Sequence, residues 1–265
     1  MSRSVKAQRG FTLVEMLVVI AVLAILGALL FPALSSARTR VQRTTCGNNL
    51  RQINFGVRMY ADDSRDTGPS PGTAAAKTNF VSLYSGYKKL MKNYVGANTE
   101  SSPRDRVFAC PGDRFFPSFV LPGTNRPASY VRQSLHSHPV FDYSSYAFNG
   151  GDNKLRTSPI VPSIKWQSPG LTGRTLSSIK QPARTVLVSE ASALAPWSWH
   201  QPEWPNVRQG KALTYNDAKN MVSFADGHVK YVKIYWNTNR YPNGSLSFAM
   251  AYDPPVGYEY QWSGD

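Results

Sequence analysis

Charge is scarce in this chain, and acid scarcer than base: only 17% of its 265 residues are charged, with 16 Asp and Glu against 30 Lys and Arg. Such a chain has too little charge for a solvated tail or a long charged helix, and its 42% hydrophobic content is that of a folded protein. Cysteine occurs only at Cys46 and Cys110, with no Cys-x-x-Cys pair and no His/Cys zinc spacing, so the sequence offers no metal centre. HExxH and phosphate-loop motifs are absent as well. No catalytic residue, metal or cofactor is therefore expected. What is plentiful is 19 Gly, 19 Pro and 14 Tyr, the composition of a loop-rich, sheet-based body.

The one long apolar run lies at the amino terminus. Residues 11–34 read FTLVEMLVVIAVLAILGALLFPAL, with Glu15 as the single charge. As a helix they would extend about 36 Å, enough to cross a bilayer. Arg3, Lys6 and Arg9 precede the run without an acidic residue, which favours a cytoplasmic amino terminus, although Arg38, Arg40 and Arg43 beyond it oppose that orientation. Loss of the first ten residues would leave 27 basic against 16 acidic residues, a net charge of +11. That excess suits anionic partners, but no basic cluster interleaves with aromatics, so nucleic acid is an unsupported partner. Two other readings of the run stand beside a retained, processed anchor. One is a secretory signal cut after Ser35-Ser36-Ala37, although such an h-region is about 7 to 15 residues long and lacks a carboxylate. The other is an uncleaved anchor, which leaves Gly10 and Glu15 without a reason.

Arg9-Gly10-Phe11-Thr12-Leu13-Val14-Glu15 resembles the processing site of type IV prepilins and type II secretion pseudopilins. The resemblance implies cleavage by prepilin peptidase between Gly10 and Phe11, methylation of the new Phe11 amine, and Glu15 as an assembly residue. Sterically, a glycine leaves the backbone free to lie extended in a protease cleft. A carboxylate in a lipid-embedded helix costs free energy and seeks a partner, which the Phe11 amine of a staggered neighbour would supply. Pro32 stands where such pilins also carry proline. It removes a hydrogen bond to Ala28, so a bend or local melting is expected there, as a plain kink or as a device for filament extension.

Beyond the run, Cys46, Leu50, Ile53, Val57 and Tyr60 recur at intervals of 4, 3, 4 and 3, one face of an amphipathic helix that continues the first. Turn chemistry at Gly68-Pro69-Ser70-Pro71-Gly72 predicts the helix end near residues 60–63. The organisation expected is a leader at 1–10, a membrane and assembly helix at 11–34, its amphipathic continuation at 35–62, and a globular head at 63–265. Within the head a helix is predicted over 77–94 and a strand at Val107–Pro111. A buried strand is predicted at Thr185–Val188, and strands on either side of Asp226-Gly227 are joined by a tight hairpin turn, with another turn at Asn243-Gly244. The fold class is α+β, a long amino-terminal helix on an antiparallel sheet. Cys46 and Cys110 either pair as a disulfide or remain two buried thiols.

Four further segments resemble the large pilin-like subfamily with a His-x9-Asp-Gly motif: Cys46–Ile53, Phe108–Pro111, Ser145–Asn149 and Phe224–Val229. The histidine of that motif is replaced here by Asn216. The resemblance implies a filament subunit of a type II secretion pseudopilus or type IV pilus, with its own kind, other pilin-like subunits, prepilin peptidase, the membrane and an inner-membrane assembly platform as partners. Such a subunit sits in the inner membrane with a periplasmic head, and in a filament after assembly. The alternative is a minor pilin whose basic surface or Trp197, Trp199 and Trp204 binds DNA or glycan. Those tryptophans equally suit a flap over the core. His136, His138, His200 and His228, with Glu190 and Asp226, are the residues from which an acid/base or metal site would be assembled, and none has diagnostic spacing.

Overall fold

The computed structural model describes residues 12–70, 86–97, 100–114, 134–151, 156–157, 165–166, 170–194, 198–200, 218–235 and 253–265. The chain divides into two compact units, one ending at Val41 and the other beginning at Gln42. Helix α1 (Leu13–Asp63, 51 residues) runs through both.

In the first unit α1 is apolar and none of its most hydrophobic stretch is buried. Leu13, Leu17, Ile20, Leu23, Leu30 and Phe31 are all exposed, so the helix is greasy around its circumference, as a span in lipid is. Pro32 lies inside the helix. The local melting expected at Pro32 is therefore not found: a proline deletes one hydrogen bond, and the helix carries through on the others.

In the second unit α1 turns amphipathic. Cys46, Leu50, Ile53 and Val57 are fully buried and Tyr60 half-buried, the stripe that the sequence predicts. Small residues let the helix approach the sheet: a Cβ on Gly47 would meet Met221 at 3.0 Å. Polar residues on the same face serve the head's backbone. Asn54 Nδ2 donates to Phe224 O at 2.8 Å and Asn49 Nδ2 to Ala109 O at 2.9 Å, so these two carbonyls beneath the helix are met.

The head's main sheet is antiparallel, with strands β1 (Tyr146–Phe148), β4 (Val186–Glu190), β5 (Lys219–Phe224) and β6 (Val229–Lys233) in the order β1-β4-β5-β6. Strands β2 (Arg156–Thr157) and β3 (Lys165–Trp166) form a separate antiparallel pair. Every residue of β4 is buried, as the β-branched run at 185–188 predicts for a central strand. At the β5–β6 turn only Gly227 has positive φ, at 101°, and Phe224 N–H donates to His228 O at 2.9 Å. The loop is thus wider than the two-residue turn expected, with the left-handed residue at its end. The carboxyl-terminal segment is held by a parallel bridge between Thr185 and Gln261, and buries Tyr260 and Trp262.

One head expectation is corrected, and a second is met over the part of it that is described. The predicted strand at Val107–Pro111 is instead a 3₁₀ turn at Arg106–Phe108, with Cys110 opening the next turn through Asp113 N–H to Cys110 O at 2.9 Å. Asn49 takes the Ala109 carbonyl that a neighbouring strand would have used. Of the helix predicted over 77–94, the described part is α2 (Tyr87–Met91) followed by a 3₁₀ turn at Lys92–Val95; residues 77–85 lie outside the described residues, as does the turn at Asn243-Gly244. Long apolar helix and four-stranded antiparallel sheet together make an α+β, pilin-like layout.

Candidate functional site

Gly10 and Phe11, where cleavage is expected, lie outside the described residues. Just after them the chain builds a local motif. Thr12 Oγ1 accepts from Glu15 N–H at 3.2 Å, while the Glu15 carboxylate accepts from Thr12 N–H at 2.8 Å and from Thr12 Oγ1 at 2.7 Å. This is the reciprocal capping box of a Thr-x-x-Glu sequence, which satisfies two of the amide groups that a helix start leaves orphaned. The pattern is readable in the sequence but is hidden by the more conspicuous lone charge. Glu15 thus starts the helix, whatever else it does.

In the head, four residues far apart in sequence converge in the core. Cys46 of α1 and Cys110 of the turn after Phe108 are joined as a disulfide, with Cα atoms 5.3 Å apart across a separation of 64 residues. Glu190, the last residue of β4, and His200 face this pair with side chains wholly buried, His200 Nε2 and Glu190 Oε1 being 2.7 Å apart. Cys110 Sγ lies 3.4 Å from Glu190 Oε1 and 3.8 Å from His200 Nε2. Met221 N–H donates to Glu190 Oε2 at 2.9 Å and fixes the carboxylate. The imidazole fits because Gly112 lacks a side chain; a Cβ there would come within 3.1 Å of His200 Cε1 and 3.2 Å of Trp199 Cβ. Spacing gives no hint of this cluster: its members come from a helix, a turn, a strand and an irregular segment.

Trp199 is 5% exposed and so belongs to the core rather than to a stacking surface; Trp197 and Trp204 lie outside the described residues. Asp226 bonds its own turn, accepting from His228 N–H at 3.1 Å, with His228 Nδ1 at 2.6 Å from the same oxygen. Gly68-Pro69-Ser70-Pro71-Gly72 carries the letters of a G-x-S-x-G nucleophile elbow, but that motif requires a strand before the serine, and here the element before it is α1, ending at Asp63. His136 is half-buried; burial, then the Lys88 charge, lowers its pKa, which suits a neutral packed imidazole.

Residues 5–31 match the family model for the prokaryotic N-terminal methylation motif. The match is consistent with a prepilin motif of the type IV pilin-like class, and an apolar helix that continues directly from it fits membrane anchoring. No curated protein and no solved structure matches the chain.

Proposed function

We propose that this chain is a structural subunit of a type II secretion pseudopilus or a type IV pilus-like filament. Prepilin peptidase cuts between Gly10 and Phe11, the Phe11 amine is methylated, and the subunit waits in the inner membrane with its head in the periplasm. An assembly platform then lifts it out to polymerise with its own kind and other pilin-like subunits. The supporting observation is overlap: the methylation motif at residues 5–31 takes in the start of an apolar helix, from Leu13 onward, whose hydrophobic side chains are exposed among the described residues. Those side chains need either lipid or other helices. In this reading Glu15 also neutralises the Phe11 amine of a neighbour, and the protein does no catalysis. Burial of Trp199 removes one of the three aromatics that a glycan-binding head would display. Amino-terminal sequencing and mass analysis of the native protein test the proposal. Methylated Phe11 is the expected first residue; a chain beginning at Arg38, or an intact Met1 or Ser2, would overturn it.

A further inference from the structure

The filament reading has no use for the buried acid and imidazole beside the disulfide. Glu190 closes a strand otherwise made of Val, Leu and Ser, and a well-packed apolar pair of the same volume would ordinarily serve stability as well or better. The sulfur of Cys110 faces both groups, yet in a disulfide it carries no proton to give and is a weak acceptor. Three electron-pair donors are thus crowded into one dry corner.

We propose that the reduced head holds a zinc-class divalent cation at this corner, with Cys46, Cys110, Glu190 and His200 as its four ligands. The side-chain donor atoms of the four all lie within 4.8 Å of one another and every residue is buried. A tetrahedral ion with bonds of about 2.0 Å to nitrogen or oxygen and about 2.3 Å to sulfur has ligand-to-ligand edges of roughly 3.3 to 3.8 Å. Two edges already have that length, Cys110 Sγ to Glu190 Oε1 at 3.4 Å and Cys110 Sγ to His200 Nε2 at 3.8 Å. The imidazole and carboxylate, now 2.7 Å apart, need to part by less than about 1 Å. The sulfurs separate once their bond is broken.

The supporting groups suit the role. The backbone N–H of Met221 holds the carboxylate through its other oxygen, as outer partners of metal ligands do. His200 Nδ1 is buried and bonds nothing among the described residues, so when Nε2 turns to the ion the ring proton moves to Nδ1 and stands there as a donor whose cost the metal bond must offset. Four protein ligands leave no open position, which makes the site structural.

A dithiol reductant supplies two electrons and two protons and becomes a disulfide; the Cys46–Cys110 bond breaks to give two thiols. The cation then displaces both thiol protons into solvent. Disulfide and metal are alternative closures of one corner, chosen by redox state and metal supply.

The test uses the full-length chain in detergent micelles, reduced anaerobically with a dithiol and titrated with cobalt(II). A single equivalent should bind with thiolate-to-cobalt charge transfer and the intense visible bands of tetrahedral geometry, and zinc should displace it. The oxidised chain should give no such bands. His200→Ala and Glu190→Gln should each weaken binding roughly tenfold or more. A reduced wild-type chain without charge transfer, or one that unfolds by circular dichroism even with saturating cobalt, would overturn the proposal without recourse to any variant. So would spectra and affinity left unchanged by both substitutions, which would mean that two thiols act alone.

Discussion

At the scale of single residues, Lys88 of α2 is the most demanding choice in the head. It is wholly buried, and its ammonium group has three donors to satisfy. They go to Asp105 Oδ2 at 2.8 Å, Asp142 O at 2.9 Å and Tyr143 O at 3.2 Å, with the Phe108 ring 4.7 Å away. Lys88→Met would leave Asp105 and two carbonyls without their cation. Breaking a buried pair in this way costs about 3–5 kcal/mol, to be read from urea unfolding of the full chain in detergent. The pH dependence follows from the same contacts. Burial pushes the Asp105 carboxyl up, but the Lys88 hydrogen bond, that of Ser102 N–H and the Lys88 and Lys92 charges together bring it below the ordinary carboxylate value. A depressed acid contributes stability above its unfolded value, about 3.9, and loses it as pH falls through the folded one. Lys88 is itself lowered, by burial, against the hydrogen bond and charge of Asp105, but it is fully charged in both states in acid. The stability gap between wild type and Lys88→Met should therefore narrow as pH drops below about 4. Asp66 and Asp265, whose shifts owe nothing to Lys88, cancel in the difference, whereas Asp142, raised by burial and lowered in part by the Lys88 charge, adds to the narrowing. A gap constant through that range would mean that Asp105 is not held down by Lys88.

At the scale of elements, the start of α1 raises a separable question, because Glu15 completes a capping box and, in the proposed filament, also supplies a charge. Glu15→Gln keeps an oxygen able to accept from Thr12 N–H but discards the charge, whereas Glu15→Ala discards both. If charge pairing assembles the filament, both variants should lose pili or secretion by electron microscopy and export assay. Assembly preserved in Glu15→Gln but lost in Glu15→Ala would assign the residue to helix initiation alone. The β5–β6 hairpin offers a cleaner case. Gly227 sits at φ 101°, where a side chain is strained, so Gly227→Ala should cost on the order of 1–2 kcal/mol in thermal unfolding. Both elements are legible in the sequence because local rules dominate them: a 3.6-residue stripe in α1, and Asp-Gly between alternating strands. The Phe108–Pro111 segment is not, since its backbone answers to Asn49, 60 residues away. Nor is the Cys46, Cys110, Glu190 and His200 cluster. It exists only because α1, β4 and two irregular segments meet, and no spacing rule encodes such a meeting.

At the scale of the whole molecule, two parts of one chain answer to different solvents, and different reagents should reach each. Up to Phe31 and Leu34, α1 is stable only with apolar neighbours, so the full chain should stay with membranes through alkaline carbonate and leave them only in detergent. Were the run a discarded signal, the protein would be soluble without detergent. The head answers instead to reductant. Its disulfide ties α1 to the turn at Cys110 across 64 residues, a loop for which the chain-entropy estimate is about 4 kcal/mol of stabilisation. A dithiol in metal-free buffer should lower the unfolding midpoint of the head accordingly, and leave membrane retention unchanged, because in the proposed reading retention rests on the exposed apolar side chains of residues 13–34 and not on the residues that the disulfide joins. Loss of retention on reduction would show that anchoring depends on the head's integrity rather than on the helix alone.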